Sequence, residues 1–133
     1  MATISARKIT ESSIAESLST AATGGDSFVN SGIEFVKIVN DHANAHYAVT
    51  FTPSVTSIKS PRWGTVTKSA VTVTVTDGAE AYIGPFKQES WNAADNTISI
   101  TYARGAGGSG TEDAVIGSGA HLLKMEVLYL DLK

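Results

Sequence analysis

Glu80-Ala81-Tyr82-Ile83-Gly84-Pro85-Phe86, then Trp91-Asn92, then Thr97-Ile98-Ser99-Ile100-Thr101-Tyr102 decide the fold of this 133-residue chain. The stretch reads as a strand, a Gly-Pro break, an aromatic turn and a second strand. Proline removes a ladder donor, so Pro85 ends the first strand. The second strand alternates branched apolar residues with hydroxyl residues, the period of a half-buried sheet. No catalytic motif lies here, so the stretch reads as scaffold.

The same alternation recurs outward from this point. Val71, Val73 and Val75 alternate with Thr72, Thr74 and Thr76, and Asp77-Gly78 reads as a hairpin turn joining them to residues 79–83. Tyr47, Val49 and Phe51 share one face of another strand, with His46, Ala48, Thr50 and Thr52 opposite. Pro53 closes that strand or sets it at an edge. Residues 33–39 are apolar at their centre on both faces, which predicts a strand buried on both sides and ended by Asn40-Asp41. The last strand spans about residues 120–132. There Leu123, Met125 and Val127 fall on one parity, and Leu128, Leu130 and Leu132 on the other. Either a bulge near Val127 gathers them on one face, or the end is covered on both faces, for instance by another subunit. Roughly eight strands with no long helix predict an all-β, antiparallel β-sandwich of jelly-roll type.

Composition agrees. Ser and Thr supply 15 residues each, with 11 Val and 12 Gly, and such a chain favours strands and turns. Apolar content of 42% suffices for one core, and the length fits one domain. Residues 24–133 are expected to form the sandwich and residues 1–23 a polar N-terminal arm. Ser13-Ile14-Ala15-Glu16 matches a capping box, so the arm holds either a short helix or an extended segment that joins a sheet. Without cysteine, disulfides and thiolate chemistry are excluded. No apolar run is long enough for a membrane helix or a signal peptide, so the expectation is a chain made in a cytoplasm and without a membrane partner.

Net charge is −3, unevenly spread. Between His42 and Thr76 there is no acid, while Lys59, Arg62 and Lys68 are bases. Three bases are too few to carry nucleic-acid binding. They suit an acidic protein surface, and residues 54–69, with Pro61, Trp63 and Gly64, are the expected projecting loop.

Candidate chemical motifs fail on context. Gly105-Ala106-Gly107-Gly108-Ser109-Gly110 matches G-x-G-x-x-G, but only 23 residues follow, too few for a dinucleotide-binding unit. No lysine follows for a phosphate loop, and no cofactor is expected. Asp41, His42 and His46 sit in a connection between strands, where the i, i+4 spacing that converges two rings on a metal from a helix guarantees nothing, and a surface loop with two histidines is expected. No nucleophile elbow occurs. Glu112 and Asp113 are adjacent and would diverge on a strand. The expectation is a non-enzyme, with a small hydrolase using His42 or His46 as a distant third reading.

The ordered pattern of Gly25-Asp26-Ser27-Phe28, Asn30-Ser31-Gly32 and Phe35-Val36-Lys37-Ile38-Val39-Asn40, then Ile83-Gly84-Pro85-Phe86 and Trp91-Asn92, resembles a family of small tailed-bacteriophage virion proteins, the head decoration or cement proteins. The resemblance covers residues 24–102. It implies a β-sandwich that binds the major capsid protein on the outer surface of an assembled head, as a dimer or trimer. It also implies residence on the virion after assembly in the host cytoplasm. Phe86 and Trp91 would cap one end of the core. Contact residues are expected at Lys59, Arg62, Trp63 and Lys68, at Leu128, Leu130 and Leu132, and along the arm. Removing residues 2–20 is expected to weaken attachment and leave the sandwich folded. The alternative is a tail- or fibre-associated module that binds a glycan, with Trp63 and Trp91 as platforms, or another virion protein.

Overall fold

The computed structural model describes residues 1–43, 45–104 and 123–130. Of these, 53% lie in strands and 4% in helix. Their order is β1 (Ala2–Ile4), β2 (Ala6–Ile9), β3 (Ser19–Thr20), β4 (Asp26–Val29), β5 (Glu34–Asn40), β6 (Tyr47–Thr52), β7 (Ser57–Ser60), β8 (Gly64–Thr67), β9 (Val71–Val75), β10 (Glu80–Ile83), the one-turn helix α1 (Gln88–Trp91), β11 (Thr97–Arg104) and β12 (Leu123–Leu130). One sheet has the order β1-β4-β11-β6-β9. The other runs β10-β5-β12-β2, with β3 also on β12, and β7-β8 form a separate hairpin. The sheets pack face to face as an all-β sandwich.

Period-two alternation fills the space between them. Phe28, Ile98, Ile100, Tyr47, Val49, Phe51 and Val75 enter from the first sheet. Val36, Ile38, Leu123, Met125 and Val127 enter from the second. Strand β5 buries its even residues fully and its odd ones only partly.

Four expectations are corrected. The strands number twelve among the described residues. The added ones are short, two to four residues each. Two pairings are parallel, β1 with β4 and β2 with β12, so the sheets are mixed. Asp77-Gly78 does reverse the chain, with Gly78 at φ 68° and Ala79 N–H donating to the Thr76 carbonyl at 3.1 Å. It makes no hairpin, because β9 pairs with β6 and β10 with β5 in the other sheet. Val73 and Val75 of β9 and Ala81 and Ile83 of β10 pack on the core from the two sheets. Finally, β12 has no bulge, since its register with β5 runs unbroken from Leu123 opposite Asn40 to Tyr129 opposite Glu34. Its two apolar parities therefore face opposite ways. On the outward one, Glu126 and Leu128 are buried all the same.

The cover for that outward face comes from the chain's own beginning. No helix forms at residues 13–16; Ser13 instead takes φ 74°. The chain passes from β1 in one sheet to β2 in the other through Ser5. Residues 10–18 then form a strap across β12 and β5. Arg7 donates to the Ala15 carbonyl at 2.9 Å and to Glu126 Oε2 at 3.2 Å. The Ser17 N–H reaches the same Oε2 at 3.2 Å, and Lys37 bonds Glu16. Ile4 and Ala21 join the core.

Candidate interaction surface

Between β6 and β9 the chain leaves the sandwich. Residues Ser57 to Ser60 pair with Gly64 to Thr67 as an isolated two-stranded ladder. Its three-residue connection, Pro61-Arg62-Trp63, follows from local chemistry. Proline presets φ at the start of the turn, and Gly64 supplies φ 73° at its exit. A side chain at Gly64 would meet nothing within 4 Å, so its requirement is conformational and not steric. The signal in the sequence was Pro61 and Gly64 between Ser57-Ile58-Lys59 and Thr65-Val66-Thr67, a turn between two three-residue alternations.

The tip is apolar, basic and unburied. Trp63 is 76% exposed, and the Arg62 guanidinium carbon lies 5.6 Å from its ring centre. Lys59 is exposed on β7. Lys68 belongs instead to the root. Its ammonium donates to Ser90 Oγ at 2.7 Å and stands 4.5 Å over the Trp91 ring, a cation–π contact. Its N–H meets the Thr56 carbonyl at 2.8 Å, and Val55 N–H meets that of Ser90 at 3.3 Å. Ser54 Oγ donates to the Asn92 carbonyl. The hairpin is thus clamped to the body at its base.

What the root rests on is the junction of the family-like motifs. Trp91 is only 7% exposed. It meets Phe86 edge-on at 5.1 Å, and Phe86 stacks on Phe51 at 5.2 Å. Asn30 ties the corner together by donating from Nδ2 to the Phe86 carbonyl at 2.9 Å and to Asn92 Oδ1 at 2.6 Å. Asn92 Nδ2 returns a bond to the Asn30 carbonyl at 2.8 Å. The Glu34 carboxylate accepts from Ser31 N–H and Oγ, both at 2.7 Å, and from Gly32 N–H at 3.2 Å. Gly84, at φ 132°, leaves no room for a Cβ, which would lie 2.8 Å from the Glu34 carbonyl oxygen and from Phe35 Cα. These polar groups bond one another, so the corner is a structural lock.

The other expected contact residues are dispersed. Leu128 lies on the strap-covered face of β12, whereas Leu130 is 45% exposed near its end. Leu132, the Gly105 to Gly110 run and the Glu112-Asp113 pair lie outside the described residues. Asp41, His42 and His46 go to three different partners: Lys124 at 3.3 Å, the Tyr47 hydroxyl at 3.1 Å and Asp77 at 2.8 Å. No described helix is long and apolar enough to cross a membrane. No family model, curated protein or solved structure matches the chain.

Proposed function

We propose that this chain is a non-enzymatic adhesion module, a decoration or cement protein that holds to the outer surface of an assembled phage head and bridges subunits of the major capsid protein. The observation that carries the reading is the hairpin tip, where Trp63, Arg62 and Lys59 are exposed on a two-stranded ladder that pairs with neither sheet of the sandwich. Trp and Arg are the residues that dominate binding energy at interfaces. A ladder already closed loses little further entropy on docking. The absence of acids between His42 and Thr76 suits an acidic docking surface. Each copy would bind weakly, and the repeated lattice of a head would turn weak contacts into retention.

Co-sedimentation with purified heads lacking the protein tests this. Trp63→Ala should weaken retention roughly 30-fold, the effect of losing a hot-spot side chain worth about 2 kcal/mol. Arg62→Glu should weaken it as well, and both variants should melt like the parent. Undiminished retention of both would remove the reading. The exposed Trp63 also favours a second reading, a tail or fibre module stacking on a sugar ring. Glycan binding by the isolated protein, lost in Trp63→Ala with no heads present, would select it. Trp91 cannot serve as a second platform, because its ring is packed against Phe86.

A further inference from the structure

We infer that β9 is a self-pairing edge, through which two copies of this chain join their five-stranded sheets across a two-fold axis at Val73. The inference is independent of what the hairpin binds.

Sheet edges are normally defended by charge, proline, shortness or a covering segment. Three of the four edges here are defended. Strand β1 has three residues. Strand β2 carries Arg7 and Lys8 and leads into the strap. Strand β10 carries Glu80 and is stopped by Gly84-Pro85. Among the described residues, strand β9 has none of these devices. It runs five residues without charge, proline or glycine, and among the described residues it pairs with β6 alone. Val71 is 39% exposed and Val73 is only partly covered at the open margin of the core. At its end the Val75 carbonyl accepts from Asn40 Nδ2 at 3.0 Å.

The occupant is read from the strand itself. Val71-Thr72-Val73-Thr74-Val75 is a palindrome. An antiparallel copy centred on Val73 places Val71 opposite Val75, Thr72 opposite Thr74, and Val73 opposite its own equivalent. Inward valines then face valines and outward threonines face threonines, both favourable cross-strand pairs. No like charges are opposed, and a two-fold contact of this kind closes on itself. The chain already uses the same pair once, where Thr50 and Thr72 hydroxyls meet at 2.9 Å across β6 and β9. A five-residue edge is small beside the 20–30 residues a side of a stable complex. Free in solution the pair should be weak, with a dissociation constant on the order of 100 µM.

Sedimentation equilibrium of the full chain up to about 1 mM tests the inference. The parent should approach dimer mass. Thr72→Lys with Thr74→Lys sets lysine opposite lysine and should weaken association at least tenfold. Thr72→Lys with Thr74→Glu sets lysine opposite glutamate in this register only and should restore at least parental association. Both positions face solvent, and melting curves check that the variants fold. A parent that stays monomeric at the highest concentration overturns the inference, as does equal association by the two variants.

Discussion

At the scale of single residues, two tryptophans in one small domain do opposite work. Trp91 closes the core against Phe86, while Trp63 stands 76% exposed at the hairpin tip. Trp91→Ala should cost about 3–5 kcal/mol in urea denaturation, whereas Trp63→Ala should stay within about 0.5 kcal/mol of the parent. Equal effects would mean that the hairpin tip is folded back onto the core. Asp26 poses a different question, since it is a buried acid on the inward face of β4. It accepts from the Tyr102 hydroxyl at 2.6 Å and from Ala22 N–H at 2.9 Å. Burial, then the bond to Asp26, pushes the Tyr102 phenol far above the ordinary tyrosine range. A raised value favours the protonated phenol in the folded state. Its stabilisation is therefore complete below about pH 10, the unfolded value, and is lost as pH rises through the folded one. Of the four tyrosines, Tyr102 should give no tyrosinate absorbance until the chain unfolds. Tyr102→Phe should remove that alkaline loss and cost about 1–3 kcal/mol at neutral pH, because Asp26 loses a donor. Tyrosinate appearing from all four before unfolding would contradict the burial.

At the scale of elements, legibility followed side-chain periodicity. Strands β6, β9 and β11 were readable because their apolar residues recur at every second position, β5 from its continuous apolar centre, and β10 from the Gly84-Pro85 stop that follows it. The hairpin's two bases and Trp63 were readable as a projecting group from composition alone. Partner choice was not, because Asp77-Gly78 fixes a reversal and says nothing about which sheet receives the next strand. Strands β1, β2 and β3 were not readable either, since main-chain pairing at an edge asks for no side-chain pattern. The strap shows the same limit. Its grip is polar and nonlocal, joining Ser17 and Arg7 to Glu126 more than a hundred residues away. Glu126→Ala removes two acceptor contacts at once and should cost about 1–3 kcal/mol. It should also speed cleavage by a glutamate-specific protease at Glu11 and Glu16. Arg7→Ala added to it should add little, since the two residues act through one carboxylate. The Glu16 bond holds the Lys37 ammonium above the ordinary lysine range. That part of the grip is present below about pH 10.4 and is lost as pH rises through the folded value. Cleavage of the strap that ignores Glu126→Ala would show that residues 10–18 are held by something other than this carboxylate.

At the scale of the whole molecule, the two segments that looked peripheral in sequence have opposite standing. The first residues stitch the sandwich, with β1 closing one sheet and β2 continuing the other. Ile4 and Ala21 are core residues, and the strap buries Glu126 and Leu128. Removing residues 2–20 therefore opens an edge in both layers and uncovers an outward apolar row. The expectation of an undisturbed body gives way to a loss of more than about 3 kcal/mol from one core isoleucine and two ladders of main-chain bonds. The hairpin is the reverse case. It touches the body through Val55, Thr56, Lys68 and Ser90 at its root, and from Pro61 to Thr67 every residue is exposed. Replacing residues 57–67 with two glycines should leave the denaturation midpoint within about 1 kcal/mol, because loop closure changes slowly with length. The same excision should abolish retention on heads if the tip is the contact. The two deletions are best measured side by side by urea denaturation with a sedimentation check for monomer. A hairpin excision that unfolds the sandwich, or an N-terminal deletion that spares it, would reverse the assignment of scaffold and contact element on which the adhesion reading depends.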